Sequence, residues 1–149
     1  MSDASGDPMS ADRHAGSFEF LHPADWAAPK GYANGIAAAG RIVFVGGQIG
    51  WNASQQFESD DFVMQARQAL ANIVSVLAEA GAGPQHVVRM TWYVVDKREY
   101  LSCGKALGAA YREIMGRHYP AMTAVEVVSL MEDAARVEIE ATAVIPDLR

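Results

Sequence analysis

Residues 65–94 read QARQALANIVSVLAEAGAGPQHVVRMTWYV, and inside this stretch the spacing of apolar side chains changes from helical to extended. Phe62, Ala66, Ala69, Ile73, Val76 and Ala80 recur at alternating steps of four and three, which lines them along one face of a helix over residues 60–80. Gly81 is suited to close it, since glycine takes the left-handed backbone without a Cβ penalty. After the break GAGP, Val88, Met90, Trp92 and Val94 alternate with Val87, Arg89, Thr91, Tyr93 and Val95. That is a strand with one apolar and one mixed face. The helix has to bury its stripe, and the apolar face of the strand is what it can cover.

The flanking sequence extends the same pattern. Towards the N-terminus, RIVFV (41–45) favours a strand that ends at Gly46-Gly47, where backbone can approach another group closely. Residues 18–35, FEFLHPADWAAPKGYANG, mix aromatics with Pro and Gly and predict an irregular packed segment. Residues 1–17 show no apolar period and read as a tail, leaving 18–149 as one domain. Towards the C-terminus, Tyr100, Cys103, Leu107, Ala110 and Ile114 keep a helical step over 98–117. Two strands follow, MTAVEVVSL (122–130) and ARVEIEATAVI (135–145), joined across MEDA. In the last, Val137, Ile139, Ala141, Ala143 and Ile145 share one face, with Glu138, Glu140, Thr142 and Val144 opposite. The predicted class is α+β: a single mixed sheet with two helices packed on one face. The other face, carrying Tyr93, Val95 and Val144, is the kind that a second subunit covers.

Composition narrows the function. A formal charge of −6 with twelve scattered Lys and Arg argues against a phosphate-binding surface, so no nucleic-acid partner is expected. No apolar run approaches the roughly 18 residues of a membrane span. Cys103 stands alone and no signal peptide is visible, so a cytoplasmic protein is expected. His14, His22, His86 and His118 lack metal-ligand spacing, and neither metal nor cofactor is expected. GGQIG lacks the length and following helix of a phosphate loop. Cys103 falls in an apolar helical stripe, the opposite of what activates a thiol. Glu138 and Glu140 lie on one strand face about 7 Å apart, an arrangement open to proton transfer, to an interface salt bridge or to simple solvation.

Five pieces occur in order: APKGYANGI (28–36), VFVGGQIG (43–50), the stretch quoted at the outset, YPAMTAVEVVSL (119–130) and VEIEATAVIP (137–146). Together they resemble the RidA/YjgF family, once labelled translation inhibitors or L-PSP endoribonucleases and now regarded as enamine and imine deaminases. The resemblance runs from about Ala28 to Pro146. It implies a chorismate-mutase-like α+β fold, assembled as a homotrimer with small-molecule clefts between subunits. It also implies a site made of Tyr32, Gly47, Gln48 and Glu138. Glu138 would position or activate water at an enamine or imine carbon, Tyr32 would orient it, and backbone at Gly47 or Ala124 would bind the ligand's oxygen.

The family's deaminases carry Pro-Ala-Arg-Ser or Pro-Ala-Arg-Thr where this chain has Pro120-Ala121-Met122-Thr123. That arginine would clamp a carboxylate through two parallel charge-assisted hydrogen bonds, and a thioether has no donor. Losing one such buried contact costs about 2 to 5 kcal/mol. Met122 thus replaces the clamp by an apolar wall, and a substrate less acidic than the 2-aminoacrylate type is expected. Arg89 or Arg41 of a neighbouring subunit is the candidate replacement charge. The family's Ser-Gly-Gln-Ile-Pro reads Gly46-Gly47-Gln48-Ile49-Gly50 here, followed by Trp51. An alternative reading keeps the trimer and removes the chemistry. Met122, Trp51 and Trp92 would then receive an apolar or aromatic ligand in a protein accessory to a catabolic pathway.

Overall fold

The computed structural model describes residues 18–147. The quoted stretch forms its centre. Helix α1, Phe62–Glu79, starts where the Asp61 carboxylate accepts from the Met64 N–H, and it closes through Gly81 at φ +72°. There the Gly81 and Ala82 N–H groups return to the carbonyls of Ala78 and Leu77, the paired bonds of a Schellman ending. Leu70, Ile73 and Leu77 are fully buried, each stabilising the fold by about 1.5 to 3 kcal/mol. Val76, placed by its spacing on the buried stripe, is exposed instead. A 3.6-residue step from Ile73 falls nearer Leu77, so the stripe drifts past it.

The strands are β1 (Phe18–Leu21), β2 (Gly35–Ala38), β3 (Arg41–Ile49), β4 (Val87–Val94), β5 (Ala121–Glu126) and β6 (Val137–Ile145). Four of them form a mixed sheet in the order β3-β6-β4-β5, in which only β4 and β5 run parallel. Helix α1 covers one face beside α3, Gly104–Met115. The two helices are joined at the surface by the Arg67–Glu113 ion pair. The α+β class with helices on one face is as expected, but the sheet is not the whole of the β structure. Segment 18–35, read as irregular, supplies β1 and the start of β2, which pair as a separate antiparallel ribbon. The tail read over 1–17 lies outside the described residues.

Two bulges set the faces of the sheet. In β4 the register to β6 slips between Val87 and Arg89, and one extra residue turns the strand over. Val87 is therefore fully buried with Met90 and Val94, while Val88, assigned to that face by alternation, is only half-buried. In β3 the slip falls between Val45 and Gln48. The Gly46-Gly47 pair does not end the strand but bends it, and pairing resumes to Ile49. Strand β5 is shorter than its sequence suggests, because β4 offers no partner beyond Val94, and Val128 is fully exposed. The helix over 98–117 breaks into α2, Lys97–Ser102, and α3, with Cys103 as the junction. Among the described residues no helix is long and apolar enough to cross a membrane.

Candidate functional site

On the uncovered sheet face, Glu138 of β6 stands opposite the β3 bulge. A Cβ added to Gly47 would lie 2.9 Å from Glu138 Cδ and 3.0 Å from its Cγ. The carboxylate arm therefore occupies the space where any other residue would carry a side chain. A Cβ at Gly46 would meet nothing within 4 Å, so of the two glycines only Gly47 is demanded by packing. Gln48 turns back on the bulge, its Nε2 donating to the Gly46 carbonyl at 3.1 Å. Beside them Tyr93 donates its hydroxyl to Glu140 at 2.8 Å, and that bond holds the phenol's pKa above its ordinary value. The same face opens into a cleft of about 280 Å³ lined by Phe44, Arg89, Thr91, Glu140 and Thr142. Of the two arginines considered as a replacement charge, Arg89 faces this cleft. Arg41 is already engaged, donating to the Ala80 carbonyl at the end of α1 at 2.6 Å.

Met122 and Ala124 belong to the other face. Their β5 positions pair with Met90 and Trp92, so both point to the helix side, opposite Glu138. There Met122, Trp92, Tyr100, Tyr111 and Tyr119 line a cleft of about 330 Å³. Tyr111 and Tyr119 stack at 5.5 Å between ring centroids, and Trp92 meets Tyr100 edge-on at 6.2 Å. Burial pushes the Tyr100 and Tyr111 phenols up, so both remain neutral donors. The Trp92 indole, 4% exposed, keeps its Nε1 buried without a hydrogen-bond partner. A buried unmatched donor costs about 1 to 3 kcal/mol. Gly104 and Gly108 open the helix wall of this cleft, and Lys30 and Arg112 also line it.

Other residues named from the sequence fall elsewhere. Ala33 bridges to Ala121 and donates to the Pro120 carbonyl, which sets Tyr32 beside the start of β5. Its ring lines a different cleft, with His22, Arg117 and His118. Trp51 is turned onto Phe57 at 6.0 Å, and Asn72 secures the loop by donating to the carbonyls of Ile49 and Trp51. It lines neither the Glu140 cleft nor the Met122 cleft. Cys103 is half-buried and its thiol is pushed up by burial.

One protomer therefore joins Glu138 to Gly47, with Gln48 turned back on the Gly46 carbonyl of the same bulge, and separately joins Met122 to an aromatic cleft. Met122 and Trp92, expected together at an aromatic site, share this cleft, whereas Trp51 is not part of it and the residues that complete it from the second helix were not foreseen. Gly104, Gly108 and Tyr111 each follow a member of the apolar stripe of the second helix by one residue, and Arg112 follows Tyr111. Tyr100, Gly104, Gly108 and Arg112 recur at steps of four, and that spacing was the available signal.

The sheet order, with its single parallel pair and helices on one side, places the protein in the RidA/YjgF class of α+β structures. The chain belongs to the family described as Endoribonuclease L-PSP, whose model matches residues 24–145. It is similar to the RutC family protein slr0709 of Synechocystis, 31% identical over 132 residues that span 87% of this chain and 98% of that one. It is also similar to the goat (Capra hircus) 2-iminobutanoate/2-iminopropanoate deaminase, 34% identical over 105 residues, 70% of this chain and 73% of that protein. Among solved structures, the Rid family protein YyfB of Yersinia pestis matches with a TM-score of 0.73 and 31% identity, covering 86% of this chain and 98% of that one.

Proposed function

We propose that this chain hydrolyses a small enamine- or imine-type metabolite in clefts between the subunits of a homotrimer. The observation that carries the reading is the Glu138 carboxylate seated over Gly47. A carboxylate so held can orient a water molecule against a C=N carbon and accept its proton. Addition of water gives a carbinolamine, whose collapse returns the proton to nitrogen, breaks the C–N bond and releases ammonia with a carbonyl product. Tyr32, Gln48 and the backbone at Gly47 and Ala124 serve in orientation. The similarity to the goat deaminase supports the reaction class.

The trimer has its own physical support. Phe44 is 78% exposed and Ile42 56% exposed on the uncovered sheet face, an apolar surface of the kind that association buries. A ligand touching both Glu138 and Met122 has to lie between two copies, because one sheet separates them. Met122 offers no donor for a carboxylate, and this disfavours the smallest acidic substrates at that position.

The test is hydrolysis of imines generated in situ by an amino-acid oxidase, with semicarbazide trapping whatever imine the protein leaves. Wild type should lower semicarbazone yield and Glu138→Gln should not, a loss of at least about 100-fold for a general base. Equal activity of the two would remove Glu138 from the chemistry. The aromatic cleft favours one second reading, a binding protein without turnover. Saturable binding of an aromatic ligand, with no effect on any imine, would establish it.

A further inference from the structure

In a chain of net charge −6, the cleft floored by Met122 is lined by two cations, Lys30 and Arg112, and by no carboxylate. Arg112 lies along the helix rather than away from it. A Cβ on Gly108, one turn earlier, would stand 3.2 Å from its Nη1, so the bare glycine surface is what lets the guanidinium rest at the cleft. Among the described residues Arg112 forms no ion pair, while its neighbour Glu113 is committed to Arg67. Beside it stand the rings of Trp92, Tyr100 and Tyr111, and the Trp92 Nε1 with no acceptor.

We infer that this cleft takes an aromatic 2-imino acid, its ring among Trp92, Tyr100 and Tyr111 and its carboxylate on the Arg112 guanidinium. The inference rests on the imine-hydrolase reading above and names the substrate class for it. A planar guanidinium can bind a carboxylate through two parallel bonds, the contact that Met122 cannot make. The anchor is thereby moved from strand to helix. An aromatic ring suits the walls, since offset and edge-on packing against aromatic side chains adds to simple burial. A cleft of about 330 Å³ leaves an alanine-sized imine in contact with few of those walls. Reaction at C2 follows the same balance as before: water adds, ammonia leaves, and a 2-oxo acid carrying the aryl group remains.

Binding is measured first, with three non-hydrolysable probes: 3-phenylpropanoate, its amide, and propanoate. Indole fluorescence or calorimetry on the full chain is the readout. Wild type should bind 3-phenylpropanoate at least ten-fold more tightly than either of the others. Arg112→Gln should erase the preference over the amide while leaving amide affinity unchanged, and Arg112→Lys should restore part of it. Arg112 is exposed, and an unchanged melting temperature would show that the variant is folded. Unaltered binding of 3-phenylpropanoate by Arg112→Gln, or equal binding of propanoate and 3-phenylpropanoate by wild type, overturns the inference. Turnover separates it from the reading beneath it. Selective, Arg112-dependent binding without hydrolysis of a phenylalanine-derived imine keeps the ligand class and discards the hydrolase. Hydrolysis that ignores both ring and Arg112 does the reverse.

Discussion

Gly47 shows how one missing side chain builds a site. Its neighbour Gly46 faces open space, yet a methyl group at Gly47 would collide with the Glu138 side chain. Gly47→Ala should therefore displace the carboxylate, and imine hydrolysis should fall at least about ten-fold while the melting temperature changes little. Gly46→Ala, the matched control, should keep most of the activity. Comparable losses in both variants would mean that the bulge backbone, rather than the room above it, is what matters. At this scale the sequence was informative where the backbone alternates. Glu138 and its face follow from counting along VEIEATAVI, and the resemblance pointed to Gly47 beside it. The four-residue step from Tyr100 to Arg112 was readable but its role was not, because that depends on how the guanidinium rests over Gly108 and on a strand that approaches only in the fold.

The elements were legible wherever period and punctuation agree. Helix α1 has an aspartate before its first turn and a glycine after its last, and both act as caps. Bulges were not legible. A strand with one extra residue reads like any other until its partner is known, and so Val87 and Val88 exchanged places. The break at Cys103 was hidden for a similar reason, since the apolar step continues through it. Gln65 was also missed, a polar residue 1% exposed on the buried side of α1. Its amide donates to the carbonyls of Ser59 and Ala134 and accepts from the Arg136 N–H, tying the helix to the β5–β6 connection. Gln65→Leu would strand those three backbone groups at a net cost of about 3 kcal/mol, read as a lower urea midpoint with an unchanged slope. A shift equivalent to less than about 1 kcal/mol would mean that water or a rearranged loop satisfies them.

At the scale of the molecule, the sheet imposes a division of labour. Glu138 faces away from the helices and Arg112 lies among them, so one protomer cannot present both to a single ligand. If the working site combines them, they come from different copies, and two inactive variants should repair each other. In a cyclic trimer each site would draw Glu138 from one subunit and Arg112 from the next. Glu138→Gln and Arg112→Gln, each poorly active on a phenylalanine-derived imine, would be unfolded together, mixed in equal amounts and refolded. Random assembly leaves a site intact when its Glu138 donor is the Arg112 variant and its Arg112 donor is the Glu138 variant. One half times one half gives about one quarter of wild-type activity in the mixture. Mixing without reassembly should give nothing beyond the average of the two. If reassembly also gives nothing, both residues serve the same copy or only one of them serves the reaction, and the division read from the sheet does not extend to catalysis.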